Sequence, residues 1–402
     1  MWGAAAPAFA HGVWTNIPSP APRSPLHAVK FVNRVEAWAV GDTGTVLKLK
    51  DGEWRNATSG TDEHLLGLAV LSATEAWAVG ENGTLLHYDG VAWTPHRDSR
   101  TAATRFLPLR AVAFLNPGNG WAVGGREAGV AAAEGIVLRY DGSTWTSATS
   151  TSDALYDLAL VSSDNIRFCG GNRRIMRYDG TSYRLEAGPV ADGGTWHALA
   201  FPFASQGWAV GDGGWIARFS AGTWSAVTSP VTDNLKGVVV LADPDTGYVV
   251  GDAGARLHLN AGVVELEARE GDGLAAVALA NGVDGAAVGG TTLPRMMMVR
   301  ALTDRTDLKG LRAFPNPYDP GTGRPFTLDR LPGDVTGIRI TPMLGETVAE
   351  IGSGVAYTSA VGVATWPGRL ADGSLAASGV YNYRVTAPGG AAFRGVFLVA
   401  RR

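Results

Sequence analysis

A phrase repeated seven times at a spacing near forty residues, in a chain rich in glycine and tryptophan, predicts an all-β fold: a seven-bladed β-propeller closed by an N-terminal strand, followed by a small β-sandwich. The phrase reads "AWAVGDTGTVLKLKDGEW" at 37–54 and "AWAVGENGTLLHYDGVAW" at 76–93. Its closing glycine falls at Gly41, Gly80, Gly124, Gly170, Gly211, Gly251 and Gly289, at intervals of 39, 44, 46, 41, 40 and 38 residues. The chain of 402 residues holds 54 glycines and 13 tryptophans with no long helix-forming run, a composition suited to short strands and tight turns.

Residues 1–10 come first. "AFA" before His11 matches the small-x-small pattern preceding a signal-peptidase cut, so this segment is expected to be a signal-peptide remnant whose start lies upstream. The propeller is expected over 11–303. Each unit opens on an apolar strand such as "LHAVKF" or "WHALAF", continues into the "WAVG" strand, turns through a phrase such as "GDTG", and forms a third strand. A "YDG" turn then leads to a fourth strand opening on Trp54, Trp93, Trp145, Tyr183 or Trp224. Strand alternation puts Trp and Val of "AWAVG" on one face and the two alanines on the other. Stacked blades bury both faces, so Trp38, Trp77, Trp121 and Trp208 are read as packing residues, each fitted to small residues of the next blade. The seventh unit has no fourth strand. "GVWTNIPS" at 12–19, with Trp14, reads like "GEWRNATS" at 52–59 and is expected to supply that strand, which removes an exposed edge.

After the repeats, the proline-rich "LRAFPNPYDPGTG" marks a linker over 304–324. Strand-like segments from "RPFTLDRL" to "AAFRGVFLVA" then predict a sandwich over 325–402. The repeats resemble the Trp-Ala-Val-Gly units of the photosystem II assembly and stability factor family, which are seven-bladed propellers, over about 12–303. Their "YDGxxW" turns are similar to the Asp-boxes of sialidase-like propellers. The tail, through Asn316, Pro317, Pro320, Trp366, Gly368 and "ASGVYNYRV", resembles the immunoglobulin-like domain of flagellar hook-capping proteins and related C-terminal sorting domains of secreted bacterial proteins. That second resemblance implies export and attachment at a Gram-negative-type cell surface, through secretion machinery or an envelope component; the first leaves a periplasmic location as the alternative.

Aligning the first strands isolates their second position, occupied by His27, Leu66, Arg110, Tyr156, His197, Lys236 and Ala275. The five polar members are expected to ring the mouth of the central channel, as a ligand site or as an ordinary wet rim. Arg97, Arg100 and Arg105 lie in the longest loop leading into a blade, and Arg126, Arg173 and Arg174 in turns on the same face. An arginine cluster suits carboxylates, phosphates or an acidic protein surface; ordinary solvated loops would carry the same residues. In blade four Asp157 and Arg167 replace the usual small residue and Trp. Strand parity places them on one face, so a buried pair is expected, since an unpaired charge there is costly.

The acidic residues Asp42, Glu81, Asp212 and Asp252 recur at one repeat position and read as turn formers. No metal-ligand run, phosphate loop or nucleophile elbow appears, and the arginine triad, tyrosine and aspartate of a sialidase cannot be assembled. A net charge of −3 gives no basic face for nucleic acid, and no long uncharged apolar run suits a membrane-spanning helix. The reading is a non-enzymatic protein without cofactor or metal that binds a protein or glycan.

Overall fold

The computed structural model describes residues 12–301 and 312–401, except 18, 22–23, 34, 51–52, 97–104, 128–131, 187, 189–192, 242–245, 261, 270, 281–284, 292–293, 315–317, 323–324, 330, 332–334, 336, 343–346, 352–353, 359–362, 371 and 387–391. Within them the chain forms seven four-stranded antiparallel sheets and one eight-stranded system. Thr15–Val299 make one compact unit, and the residues from Arg300 belong to another.

Blade 1 runs Leu26–Asn33, Glu36–Gly41, Val46–Lys50 and Glu53–Ala57, from channel to rim. Blades 2 to 6 repeat that order from Leu65, Leu109, Leu155, Trp196 and Leu235. The seventh sheet orders Gly12–Ile17, Arg295–Ala301, Gly285–Gly289 and Leu274–Leu279, so the first strand of the chain does complete the last blade. Each innermost strand packs on the next one around the ring, and blade 1 meets blade 7 through Leu26, Val29, Ala39 and Leu47 against Ala278, Ala286, Val288 and Met296.

The "WAVG" strands act as expected. Trp38 is 1% exposed and lies against blade 2, whose Ala76 and Ala78 leave room for it. Its ring meets Tyr88 at 4.8 Å and Trp93 at 5.4 Å, edge-on geometries that suit the aromatic quadrupole. Trp77 repeats the arrangement on Tyr140 and Trp145 of blade 3. Trp121 rests on Phe168 and Tyr178 of blade 4, and Trp208 is buried against Leu257 and Leu259 of blade 6. Trp14, in the closing strand, is half-buried.

The glycine closing each phrase has a specific cause. In blade 1 the peptide after Gly41 donates from Asp42 N–H to the carbonyl of Pro25 at 2.9 Å. A Cβ on Gly41 would stand 2.0 Å from that oxygen. The same approach recurs in blades 2 to 7, where the Cβ would fall 1.9–2.4 Å from the matching carbonyl.

Asp157 and Arg167 do not pair. Parity held, since both face blade 5, but the register sets Asp157 opposite Cys169 and Arg167 opposite Ala159. Arg167 takes over the stacking duty of the missing tryptophan: its guanidinium lies 4.5 Å from the Phe201 ring centre and 4.3 Å from that of Phe219. Its charge is met by Glu186 on the outer strand of its own blade at 3.1 Å, and it donates to Asn165 Oδ1 at 3.0 Å. Asp157 instead accepts from the backbone N–H of Leu158 at 2.9 Å and of Leu199, in blade 5, at 2.8 Å, tying two innermost strands together.

In the C-terminal unit the strand neighbours run Arg312–Phe314, Phe326–Asp329, Val363–Trp366, Gly354–Thr358, Ala349–Ile351, Gly337–Pro342, Gly379–Thr386 and Ala392–Val399. Phe326 and Phe397, far apart in that order, stack at 3.7 Å, so the system folds over one core as a sandwich. Of the expected linker over 304–324, residues 304–311, 315–317 and 323–324 lie outside the described residues, and the expectation is corrected at Arg312–Phe314 and Tyr318. Arg312–Phe314 pairs with Phe326–Asp329, and Tyr318 is fully buried in the sandwich core with its N–H donating to Leu398 O at 2.7 Å. Among the described residues no helix is long and apolar enough to cross a membrane.

Candidate functional site: the channel mouth

One irregularity repeated seven times builds the site. In blade 1, Leu26 pairs with Gly41 and Ala28 with Val40, which leaves His27 as the surplus residue of a β-bulge. The bulge follows from the turned-in carbonyl before it, and it aims the extra side chain out of the sheet plane. Leu66, Arg110, Tyr156, His197, Lys236 and Ala275 are the surplus residues of the other six blades. All seven line one cavity of about 300 Å³ at the channel mouth, which narrows into a channel space of about 210 Å³. The mouth is two-sided: blades 3 to 6 contribute Arg110, Tyr156, His197 and Lys236 in succession, while Leu66, Leu274 and Ala275 supply an apolar arc from blades 2 and 7.

The polar arc is a connected set. The Arg110 guanidinium lies 4.5 Å above the Tyr156 ring and reaches Glu127 at 3.4 Å; the Tyr156 hydroxyl donates to the same carboxylate. Burial and that carboxylate push the Tyr156 hydroxyl far above its ordinary pKa, so it stays protonated. His197 Nε2 sits 2.6 Å from Asp212 Oδ1 and 3.0 Å from Lys236 Nζ. One nitrogen cannot both donate to the carboxylate and accept from the ammonium. Burial, then the Lys236 charge, lowers the His197 pKa against the pull of Asp212, so the ring is neutral near pH 7. Across the mouth, Asp42 Oδ1 bridges His27 Nε2 at 2.6 Å and His64 Nδ1 at 2.7 Å.

Three of the four recurring acids are therefore more than turn formers. Asp42 and Asp212 hold ring histidines, and Asp252 lines the mouth while accepting from Asn234 Nδ2 at 3.0 Å. Left-handed geometry falls on the residues after them, such as Thr43 and Gly44. Sequence reasoning also missed Glu127, His64 and Trp215. Only Trp215 left a signal, a bulky aromatic where blades 1 and 2 have Thr45 and Thr84. The "YDG" acids do form turns, on the opposite face: Asp141 accepts from the N–H groups of Ser143 and Thr144 at 2.8 Å, which pulls its pKa down to about 2.

The arginine cluster is less free than its sequence suggests. Arg126 pairs with Glu134 at 3.1 Å and Arg174 with Asp153 at 3.0 Å. Arg105 is exposed, and Arg97 and Arg100 lie outside the described residues. Arg173 lies 4.7 Å above the Trp215 ring. Among the described residues no group of His, Cys, Asp and Glu could hold a metal.

Fold and mouth together define a β-propeller protein with a cavity at its channel mouth. No protein-family model and no curated protein matches the chain. Solved propellers do. Ycf48 bound to a D1 peptide is 18% identical with a TM-score of 0.56, covering 75% of this chain and 100% of that one. Ycf48 from Cyanidioschyzon merolae gives 15% and 0.56, over 71% and 98%. PorZ, an essential bacterial surface component of the type-IX secretion system of Porphyromonas gingivalis, gives 17% and 0.55, over 93% of this chain and 59% of that one. At these identities the likeness is one of fold.

Proposed function

We propose that the protein is a non-catalytic docking module at the bacterial cell surface, holding a partner over the channel mouth, with its C-terminal domain serving export or attachment. The observation that carries this reading is the convergence of seven surplus side chains on one mouth, polar over blades 3 to 6 and, across from them, apolar at Leu66 and Ala275 on either side of His27. Such a surface suits a protein segment that offers hydrogen-bond acceptors beside an apolar side chain. It does not suit hydrolysis. A glycosidase needs two carboxylates free to flank a sugar bond, whereas Asp42, Asp212 and Glu127 are each engaged by a mouth residue and Asp252 accepts from Asn234. The surface role is supported by the PorZ likeness, which spans 93% of this chain.

A second reading, a periplasmic assembly factor, is favoured by the likeness to Ycf48, solved with a D1 peptide bound. Fractionating native cells separates the two: surface exposure supports the first, a purely periplasmic pool the second. The mouth is tested by capture from native envelope with the full chain and with Arg110→Ala/Lys236→Ala. Equal capture by both removes the mouth from the proposal, and a glycan-array signal in place of protein capture changes the partner.

A further inference from the structure

Three departures from the repeat meet at one point between blades 4 and 5, away from the mouth ring. The first is Arg173. The turns of blades 1, 2, 5 and 6 place glycine at the equivalent position, with φ of 64°, 67°, 75° and 66°. In blades 1 and 5 a Cβ there would stand 1.8 and 1.9 Å from a backbone oxygen. Blade 4 puts an arginine in the same left-handed conformation, at φ 51°, directly after Asn172 at 53°. A charged residue with a Cβ in this region carries strain that glycine would avoid.

The second departure is Trp196, where the six other innermost strands open on leucine. Its indole N–H donates to the Arg173 carbonyl at 2.9 Å and secures the strained turn from behind. Third is Trp215, 37% exposed, which floors the Arg173 guanidinium. Gly194 clears the path: its carbonyl accepts from Arg173 N–H at 3.1 Å, and a Cβ on it would come within 3.1 Å of the guanidinium. The neighbouring charge is already spent, since Arg174 pairs with Asp153. Among the described residues Arg173 makes no ion pair and its Nε has no hydrogen-bond partner, so its planar fork is positioned with none of their carboxylates set against it.

We infer that Arg173, held flat on Trp215, is an oxyanion clamp that takes a glutamate or aspartate carboxylate of the docked partner. The Arg173 Nε is buried beside Gly194 with no hydrogen-bond partner, so the terminal nitrogens of the guanidinium laid on the indole are the ones left for a bidentate carboxylate. The exposed rim of Trp215 gives an apolar contact for the residue beside the acid. Only the source of the carboxylate rests on the protein-docking reading; the clamp itself stands on the turn geometry.

The test uses the full chain labelled with 5-fluorotryptophan, the Trp215 signal being assigned from Trp215→Phe. It is titrated with a capped Glu-Leu-Glu peptide, its Gln-Leu-Gln counterpart and inorganic phosphate. The expected result is a saturable Trp215 shift with the glutamate peptide and none with the glutamine peptide. Arg173→Lys, which loses the fork, weakens it about tenfold. Arg173→Gly abolishes it while melting at or above the wild-type temperature, the signature of strain kept for binding rather than for folding. Equal response to both peptides, or binding that survives Arg173→Gly, overturns the clamp, as does an Arg173→Gly chain that melts well below wild type. Saturation by phosphate without the peptide overturns the protein source. Because the titration needs no native partner, its outcome is independent of the envelope capture with the Arg110 and Lys236 variants.

Discussion

Replacing Glu186 by alanine strips the partner from a guanidinium that has almost no access to water. The Arg167 side chain is 2% exposed and that of Glu186 17% exposed, and Arg167 Nε lies 3.2 and 3.1 Å from the two carboxylate oxygens. What remains after Glu186→Ala is Asn165 Oδ1 and the faces of Phe201 and Phe219, neither of which carries a full negative charge. Trp224 Nε1, which donates to Glu186 at 2.8 Å, is orphaned as well. Breaking a buried pair from one side costs about 3–5 kcal/mol. The opposite change is milder. Arg167→Met leaves a Glu186 that keeps the Trp224 hydrogen bond and reaches solvent, so a cost of about 1–2 kcal/mol is expected. The double variant should recover much of the Glu186→Ala loss, because it removes the stranded charge. Urea unfolding followed by tryptophan fluorescence reads all three, with constant slope as the check on comparability. The reasoning fails if Glu186→Ala costs less than about 1 kcal/mol, or if the double variant is no better than the single.

Gly211→Ala should be among the most damaging methyl additions in the ring, since its Cβ would sit 2.2 Å from Thr195 O and force the bulge open; a melting curve within a degree or two of wild type contradicts the close-approach account. Asp157 should make stability pH-dependent: desolvation of its carboxyl, half-buried at the channel wall, pushes it up to about 6 from 3.8, against the pull of Leu199 N–H and the Lys30 charge. Between those values the folded chain binds the extra proton, so stability from this group is greatest in acid and falls as pH rises through 6, by at most about 3 kcal/mol and less where channel water solvates the group. In Asp157→Ala that component of the pH profile should vanish, and an unchanged slope in urea midpoints between pH 4.5 and 7.5 contradicts it. Tyr318→Ala should unfold the C-terminal domain early, by about 3–5 kcal/mol, whereas a true linker residue would be silent in the same scan.

The repeat made the ring legible because packing duties recur: a Trp that must meet small residues, and a glycine that must admit a carbonyl, leave the same letters in every blade. The mouth residues were legible for a related reason, since a recurring bulge puts them at one offset from each leucine or tryptophan. Their partners were not. Asp42 and Asp212 occupy turns where aspartate is common for local reasons, so the letter is the same whether or not a histidine stands above it. Asp157 and Arg167 show the limit of parity, which assigns a face but not a rung; two residues of register separate an ion pair from a stacking arginine and a backbone clasp. The segment around Tyr318 read as linker because prolines signal stiffness, and nothing in a single sequence tells stiff and free from stiff and inserted.

The surplus residue at each inner strand has a consequence for how such a molecule changes over time. A side chain that hangs off the ladder has no part in the strand pairing that builds each blade, so any of the seven can be exchanged without breaking a sheet. The aperture is then a seven-letter address written on an indifferent frame, here His-Leu-Arg-Tyr-His-Lys-Ala. New partners could be reached by respelling it one letter at a time.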